Sequence, residues 1–296
     1  IIVKTKTMGK RQVGGCNGFQ LKLFALITMT MDHLAAYLPA GMGIPDWFHL
    51  IGRFAAPLFM FFCAEGIFYT HSRKNYMLRL YIGWVLMNLC NNWISQKFAQ
   101  PSGIIILNGM FGTMFLVVLT VTSVELIRAG QKERAVRKIG MGLAGLFYFV
   151  ASFAVQCGAY IAMTGMFNAQ TGEITNRMFP VVQRGVQIMM IFMPNLMNVE
   201  GGFLFVLLGV AFYYLRRWRI AQVAALGVLC LIQWLALPQY WLTDLFIFLA
   251  AIPICLYNSQ AGSNRHKFLF YWYYPAHVYL IYIVGYLLMT RWGVAY

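Results

Sequence analysis

Charge is what this chain has least of. Among 296 residues there are 8 Asp and Glu and 23 Lys and Arg, so 10% are charged. Soluble globular domains carry about 25%, and a water-soluble fold is excluded on that ground. The six cysteines (16, 63, 90, 157, 230 and 255) form no CxxC pair and lie mostly in apolar surroundings. They read as small buried hydrophobes rather than as a disulfide framework or a metal site. There is no Walker A loop, zinc motif, haem motif or GxSxG elbow. No soluble domain, low-complexity tract or clear internal repeat is visible. No cleavable signal peptide is expected, because the first apolar run is long and lacks a small-residue cleavage site after it.

What is present is apolar. The composition is 60% hydrophobic and 17% aromatic, with mean hydropathy +0.65. Several runs reach the roughly 20 residues that cross a bilayer. We read spans at 19–38, 48–70, 79–95, 104–127, 139–165, 199–215, 220–237, 241–257 and 268–289. The expected fold class is all-α, a polytopic transmembrane helical bundle forming a single integral-membrane domain over 1–296. A net charge of +15 suits a nucleic-acid partner in a soluble protein. Here the basic residues collect in short clusters between apolar runs, which is topology information and implies no nucleic acid.

Those clusters test the count. Lys4, Lys6, Lys10, Arg11 and Lys22 precede or open span one, and Arg73, Lys74 and Arg79 lie between spans two and three. "RAGQKERAVRK" follows span four, "RRWR" precedes span seven, and "NRHK" (with Arg265 and Lys267) precedes the last. Between spans five and six, "MFPVVQRGVQIMMIFMPNLMNVEGG" is apolar but interrupted by Arg184, Pro194 and Gly201–Gly202, so it reads as interfacial or re-entrant. A full crossing there would put "RRWR" and all that follows on the opposite side. The positive-inside rule thus favours nine spans with a cytoplasmic N-terminus and an external C-terminus. Ten spans, with an extra crossing elsewhere, is the alternative. Trp47, Trp93, Trp218, Trp234, Trp241 and Trp292 lie near span ends, as in an interfacial belt.

Within the spans, ionisable residues are functional candidates by default, since an ionised aspartate at mid-membrane costs roughly 2.5–3.5 kcal/mol. Asp32 and His33 lie near the outer end of span one. Arg53 of span two sits at a similar depth, about 9 Å in at about 1.5 Å per residue. Asn88, Asn91 and Asn92 end span three, and Asn108 opens span four, which predicts a polar layer in the outer half. Asp32 and Arg53 can neutralise one another, either as part of a site or as an interhelical clamp. Asp32 and His33 are about 100° apart on a helix and do not face each other.

Glu65 stands at the inner end of span two, beside Arg73, Lys74 and Arg79. A cationic inner mouth suits a phosphate-bearing ligand such as a nucleotide or coenzyme A; ordinary positive-inside charge explains the cations equally well. His277 falls near mid-membrane, two residues after Pro275 and three after Tyr274, which shares its helix face. A neutral histidine there serves as a general base, a hydrogen-bond partner or a packing residue. His49 and His266 sit at span ends and suggest no role, and the methionines of "IMMIFMPNLM" read as lipid-facing packing rather than a metal site.

Three stretches, "LKLFALITMTMDHLAAYLP", "IGRFAAPLFMFFCAEGIFYTHSRKNYMLRL" and "KFLFYWYYPAHVYLIYI", resemble the TraX family. The matching elements are Asp32–His33, Gly52–Arg53 with Pro57–Leu58–Phe59, and Phe270 through His277; the middle, from about 100 to 265, contributes none of these elements. The resemblance implies an integral-membrane acyltransferase of the bacterial inner membrane that takes acetyl groups from cytosolic acetyl-CoA. The implied acceptor is a pilin amino terminus or another amine or hydroxyl at the outer face. His33 or His277 would be the base, Asp32 would orient it or bind an amine, and Arg53 would stabilise the oxyanion. Glu65, Arg73, Lys74 and Arg79 would hold the donor, and Asn88, Asn91, Asn92 and Tyr274 the acceptor. A proton-coupled transporter or flippase needs many of the same groups, and a structural subunit of a conjugation or secretion complex needs only the clamp.

Overall fold

The computed structural model describes residues 14–166, 174, 176–262 and 269–295. The clusters at Lys4, Lys6, Lys10 and Arg11, and at Arg265, His266 and Lys267, lie outside the described residues. Within them the chain is helical and forms no strand; Cys16 and Tyr257 make an isolated bridge.

Helix α1 (Gly18–Tyr37) opens with a capping box in which Asn17 Oδ1 accepts from the Gln20 amide and Gln20 Oε1 accepts from the Asn17 amide. It stops at Leu38, which is extended because Pro39 follows and disfavours the helical region for its predecessor. The second span is two helices, α2 (Trp47–Gly52) and α3 (Ala55–Tyr69). Pro57 has no N–H to give the Arg53 carbonyl, so the ladder breaks there. The turn closes instead with tighter bonds, Arg53 N–H to Leu50 O at 3.1 Å and Phe54 N–H to Ile51 O at 3.2 Å. Arg53 therefore sits at a bend.

Helix α4 (Arg73–Lys97) starts earlier than its apolar part, because Ser72 Oγ caps it by accepting from the Asn75 amide at 3.3 Å. Helix α5 (Met110–Glu133) starts later than the expected 104: Gly109 precedes it, and residues 104–109 are not helical despite their apolar side chains. It joins α6 (Val136–Thr164) through Arg134, which is left-handed at φ 54. There follow α7 (Phe179–Phe192), α8 (Gly202–Tyr214), α9 (Arg219–Ala236), α10 (Trp241–Leu249), α11 (Ala251–Leu256) and α12 (Leu269–Arg291). The α10–α11 break repeats the logic of α2–α3, since Pro253 cannot donate to the Leu249 carbonyl.

Among the described residues five stretches are long and apolar enough to cross a membrane: Trp47–Tyr69, Met110–Glu133, Val136–Thr164, Arg219–Ala236 and Pro238–Leu256. Helices α1, α4 and α12, of 20, 25 and 23 residues, match them in length but carry more polar side chains. Helices α7 and α8, of 14 and 13 residues, are about 20 Å long, against about 30 Å of hydrocarbon.

At the centre is α3, buried on almost every side (Leu58, Phe61, Cys63 and Ile67 among others) and packed by α1, α5 and α8. An all-round apolar helix belongs in that position. By contrast α6 exposes Phe147, Val150 and Ile161 along an outer face suited to lipid. Lipid tails give helices no hydrophobic reason to associate, so close packing at small residues does the work. Gly142 and Gly145 of α6 lie against Ser123 of α5, and Gly209 of α8 lies against Val117.

The described basic connections share one end of the bundle. Lys22 at the start of α1 lies over Phe62 and over Phe270 of α12, and Arg73 donates to Tyr213 of α8 at 2.8 Å. Arg128 of α5 lies over Tyr214, and Arg219 of α9 lies over Tyr257. The polar groups of interest lie at the opposite end.

Candidate functional site

A cavity of about 320 Å³ lies between α1, the α2–α3 bend, the segment entering α8, α9, α10 and α12. Asp32, His33, Arg53 and Tyr274 line it. Asp32 and His33, adjacent in sequence, go to different partners, as their separation on the helix implies. One helical step turns Asp32 toward the bend and His33 toward α12.

Asp32 Oδ1 accepts from Arg53 Nη2 at 2.9 Å and meets His49 Nδ1 at 3.0 Å. Arg53 Nε in turn donates to the His49 carbonyl at 3.1 Å. The three groups are partly exposed at the protein surface, with Asp32's side chain at 22%. Gly52 makes the approach possible. A Cβ there would stand 2.7 Å from Asp32 Cγ and 2.9 Å from its Oδ1. The Gly-Arg pair thus has a steric reason: the glycine admits the aspartate that the arginine binds.

His33 and His277 are both buried and hydrogen-bonded, Nδ1 to Nε2, at 2.8 Å, with rings 5.0 Å apart. The sequence placed them at different depths; the structure joins them. His277 Nδ1 lies 2.6 Å from the Tyr273 carbonyl one turn earlier, an oxygen that can only accept. Tautomers are assigned from such networks, and this one leaves a single consistent choice with both rings neutral. His277 donates from Nδ1 and accepts at Nε2, so His33 donates from Nδ1 and keeps its Nε2 lone pair. Tyr273 is held by a 2.8 Å contact between its hydroxyl and Thr30 Oγ1 of α1, and its ring stacks on His277. Tyr274 is buried on the cavity wall, its ring edge-on to Phe111.

The asparagines do not join this group. Asn88 donates to the Trp84 carbonyl at 2.9 Å, and Asn92 is exposed and accepts from Gln96. Asn91 is buried, with Oδ1 unpartnered among the described residues, but none of the three lines the cavity. Asn108 accepts from the Tyr37 hydroxyl at 3.4 Å. The single polar layer expected from depth is therefore split: α4 turns its asparagines elsewhere.

At the basic end, Glu65 is 5% exposed and committed to Arg216, whose Nε and Nη2 donate to its two oxygens at 2.8 and 3.4 Å. Arg216 also reaches the Tyr69 hydroxyl at 2.7 Å and covers the Phe68 ring. Glu65 is thus balanced inside the protein by Arg216. Arg73 is tied to Tyr213, while Lys74 and Arg79 are exposed and face outward.

Three groups at or beside the cavity escaped the sequence reading. His49 was passed over as a span-end residue, yet it completes the Asp32 cluster. Glu200 lines the cavity because the segment before α8 is pinned: Tyr148 donates to the Pro194 carbonyl at 2.7 Å, and Thr113 donates to the Glu200 carbonyl at 2.7 Å. Gly201 and Gly202, at φ 71 and 53, then turn the chain into α8. Asp244 of α10 is the third, and the rule that flags intramembrane carboxylates would have found it.

Comparison with known proteins bears on half of this arrangement. A family model described as TraX protein matches residues 17–168. That interval holds Asp32, His33, His49, Arg53 and Glu65, and it ends before Glu200, Asp244 and His277. A Dichelobacter nodosus protein named "Probable fimbrial assembly protein FimC, serogroup H1" is 33% identical over 79 residues, 26% of this chain and 32% of that protein. The chain thus matches about a third of that relative's length. No solved structure matches.

Proposed function

Because the chain belongs to the TraX family, we propose that this helical membrane protein is an acyltransferase. It moves an acetyl group from cytosolic acetyl-CoA to an amine or hydroxyl at the outer face, a pilin amino terminus being the acceptor the family resemblance implies. The relative's printed role in fimbrial assembly supports the pilus context. The observation that carries the chemistry is the His33–His277 pair: a buried imidazole on the cavity wall, its Nε2 lone pair left open by a relay ending on the Tyr273 carbonyl.

In this reading Nε2 of His33 removes a proton from the acceptor nitrogen as that nitrogen attacks the thioester carbonyl carbon. His277 accepts the hydrogen bond of the resulting imidazolium and steadies it. The carbonyl oxygen becomes an oxyanion, and Arg53, already at the cavity, is the cation able to face it. The C–S bond then breaks, and His33 returns its proton to the departing coenzyme A thiolate. Arg53 and Glu65 are twelve residues apart on the second span, about 18 Å at about 1.5 Å per residue. A long flexible donor arm must cover that depth if its phosphates stay near Lys74 and Arg79. We place nine spans in the bacterial inner membrane with the N-terminus cytoplasmic. The gathering of the described basic connections at one end supports this, with α7 and α8 together counted as one crossing.

The test is acetyl transfer from radiolabelled acetyl-CoA in inverted membrane vesicles, comparing wild type with His33→Ala and His277→Ala. Label on a peptide or glycan, lost in His33→Ala at normal protein level, is the expected result. No protein-dependent label and no coenzyme A release would overturn the proposal. A proton-coupled transporter is the second reading, favoured by the two proline-broken helices lining one cavity. It predicts flux without any covalent product.

A further inference from the structure

The cavity wall formed by α9 and α10 carries polar groups that the reaction above does not use. Asp244 is 6% exposed and lines the cavity, and its Oδ2 has no hydrogen-bond partner among the described residues. Gln233, on the same wall, has an unpartnered Oε1. Buried polar atoms are almost always paired. Two orphans on one cavity wall, one of them a carboxylate oxygen, mark a place where something else supplies the donors. The amide assignment of Gln233 depends on which way the group is turned, but Asp244 carries no such ambiguity.

Charge narrows the class of ligand. The chain as a whole is +15, yet the cavity is lined by three carboxylates (Asp32, Glu200 and Asp244) and one arginine. Arg53 is already engaged by Asp32. An anionic ligand at the α9–α10 wall would face carboxylate and amide oxygens with no cation to meet it. A primary ammonium has three donors, no acceptor and a compensating charge, which suits two orphan acceptors in a cavity whose carboxylates outnumber its cations.

We propose that Asp244, with Gln233, forms a subsite that binds a primary ammonium, and that in the acyl-transfer reading this is where the acceptor's amino end docks. Identifying the occupant as acceptor rests on that reading; the binding itself does not. Asp32, Arg53 and His33 line the same cavity; in that reading the docked ammonium first gives one proton to the Asp244 carboxylate, and the neutral amine then attacks and gives a second proton to His33.

The experiment is equilibrium binding by isothermal titration calorimetry, with the full chain in nanodiscs. The probes are trialanine amide and its N-acetyl counterpart, and the variants are Asp244→Asn and Asp244→Glu. The expected result is binding of the free amine and at least tenfold weaker binding of the acetylated peptide. Asp244→Asn should weaken the free-amine complex at least tenfold, and Asp244→Glu should retain most of it. Equal affinity for the two peptides in wild type would overturn the proposal without reference to any variant, as would undiminished binding by a folded Asp244→Asn. If amine binding depends on Asp244 while no acetyl transfer is seen, the subsite stands and the acyltransferase reading falls. If transfer occurs and binding ignores Asp244, the subsite falls alone.

Discussion

Replacing Gly52 with alanine tests the geometry on which the site depends. The added methyl would stand 2.7 Å from Asp32 Cγ and 2.9 Å from Oδ1, and closer still to Cβ. Carbon atoms in good contact are about 3.5–4.0 Å apart, so α2 must move away from α1 by about 1 Å. Cβ and Cγ of Asp32 are anchored near the backbone, so no rotation of a flexible tip relieves the clash. The 3.0 Å contact to His49 and the 2.9 Å bond to Arg53 would then stretch toward 4 Å, beyond hydrogen-bond range. His49, shorter than arginine, is lost first. Overpacking of this kind costs about 1–3 kcal/mol, and a misplacement of about 1 Å in a catalytic group can cost about 100-fold in rate. The assay is paired: unfolding free energy by denaturant titration in mixed micelles, and acetyl transfer in vesicles. Gly52→Ala should fall in both, and Asp32→Gly in the same chain should recover stability, because it removes the atoms being struck, but not activity. If Gly52→Ala keeps wild-type stability and the Asp32 contacts, the close approach of α1 and α2 is wrong, and the steric reason given for the Gly-Arg pair goes with it.

Three other outcomes are expected. His33→Ala should reduce kcat by about 10²–10⁴-fold, the usual contribution of a general base, and His277→Ala by about 10–100-fold through loss of the orienting partner; equal losses in KM alone would point to binding instead. Arg216→Ala should destabilise the protein by about 3–5 kcal/mol because it strands the buried Glu65 carboxylate. Glu65→Gln in that background should recover part of the loss, and no recovery would mean that Arg216 acts by packing on Phe68. Ala56→Trp, one helical turn inward from Arg53 on the cavity wall, should abolish transfer while leaving the micelle melting curve within error; retained activity would place the donor's path elsewhere.

The helices were legible because lipid imposes a coarse rule: about twenty apolar residues, with basic residues at the ends. The expected spans at 19–38 and 220–237 each fall within one residue of α1 and α9. The rule failed where hydropathy and helix signals diverge. Ile104, Ile105 and Ile106 look like the start of a span, but Pro101, Gly103 and Gly109 keep the backbone irregular until Met110. Arg73 to Arg79 look like a loop, but Ser72 caps them into α4. Neither the Pro57 break nor the Pro253 break was anticipated, although each proline marks its own lost bond.

The Asp32–Arg53 pairing was legible in the sequence and the other pairings were not, and the reason is geometric. A single helix fixes which residues share its own face, so the 100° separation of Asp32 and His33 followed from sequence alone. It does not fix what meets each face. His33 finds His277 only because α1 and α12 pack together over 244 positions of chain. Asp32 finds His49 only because α2 is cut short at the bend before Pro57, which turns a span-end histidine back toward α1. Glu200 and Asp244 come to the same cavity from a pinned segment and from a helix beyond the matched family interval. The proline breaks therefore serve the site as well as the topology: they place Arg53 and His49 at a corner that a straight helix would carry past the cavity. Repairing the break with Pro57→Ala should restore the Arg53 carbonyl to the ladder, straighten the span and draw His49 off Asp32. The loss should appear in transfer rate rather than in stability. A Pro57→Ala variant that transfers acetyl groups as fast as wild type would show that the bend is incidental to the proposed chemistry.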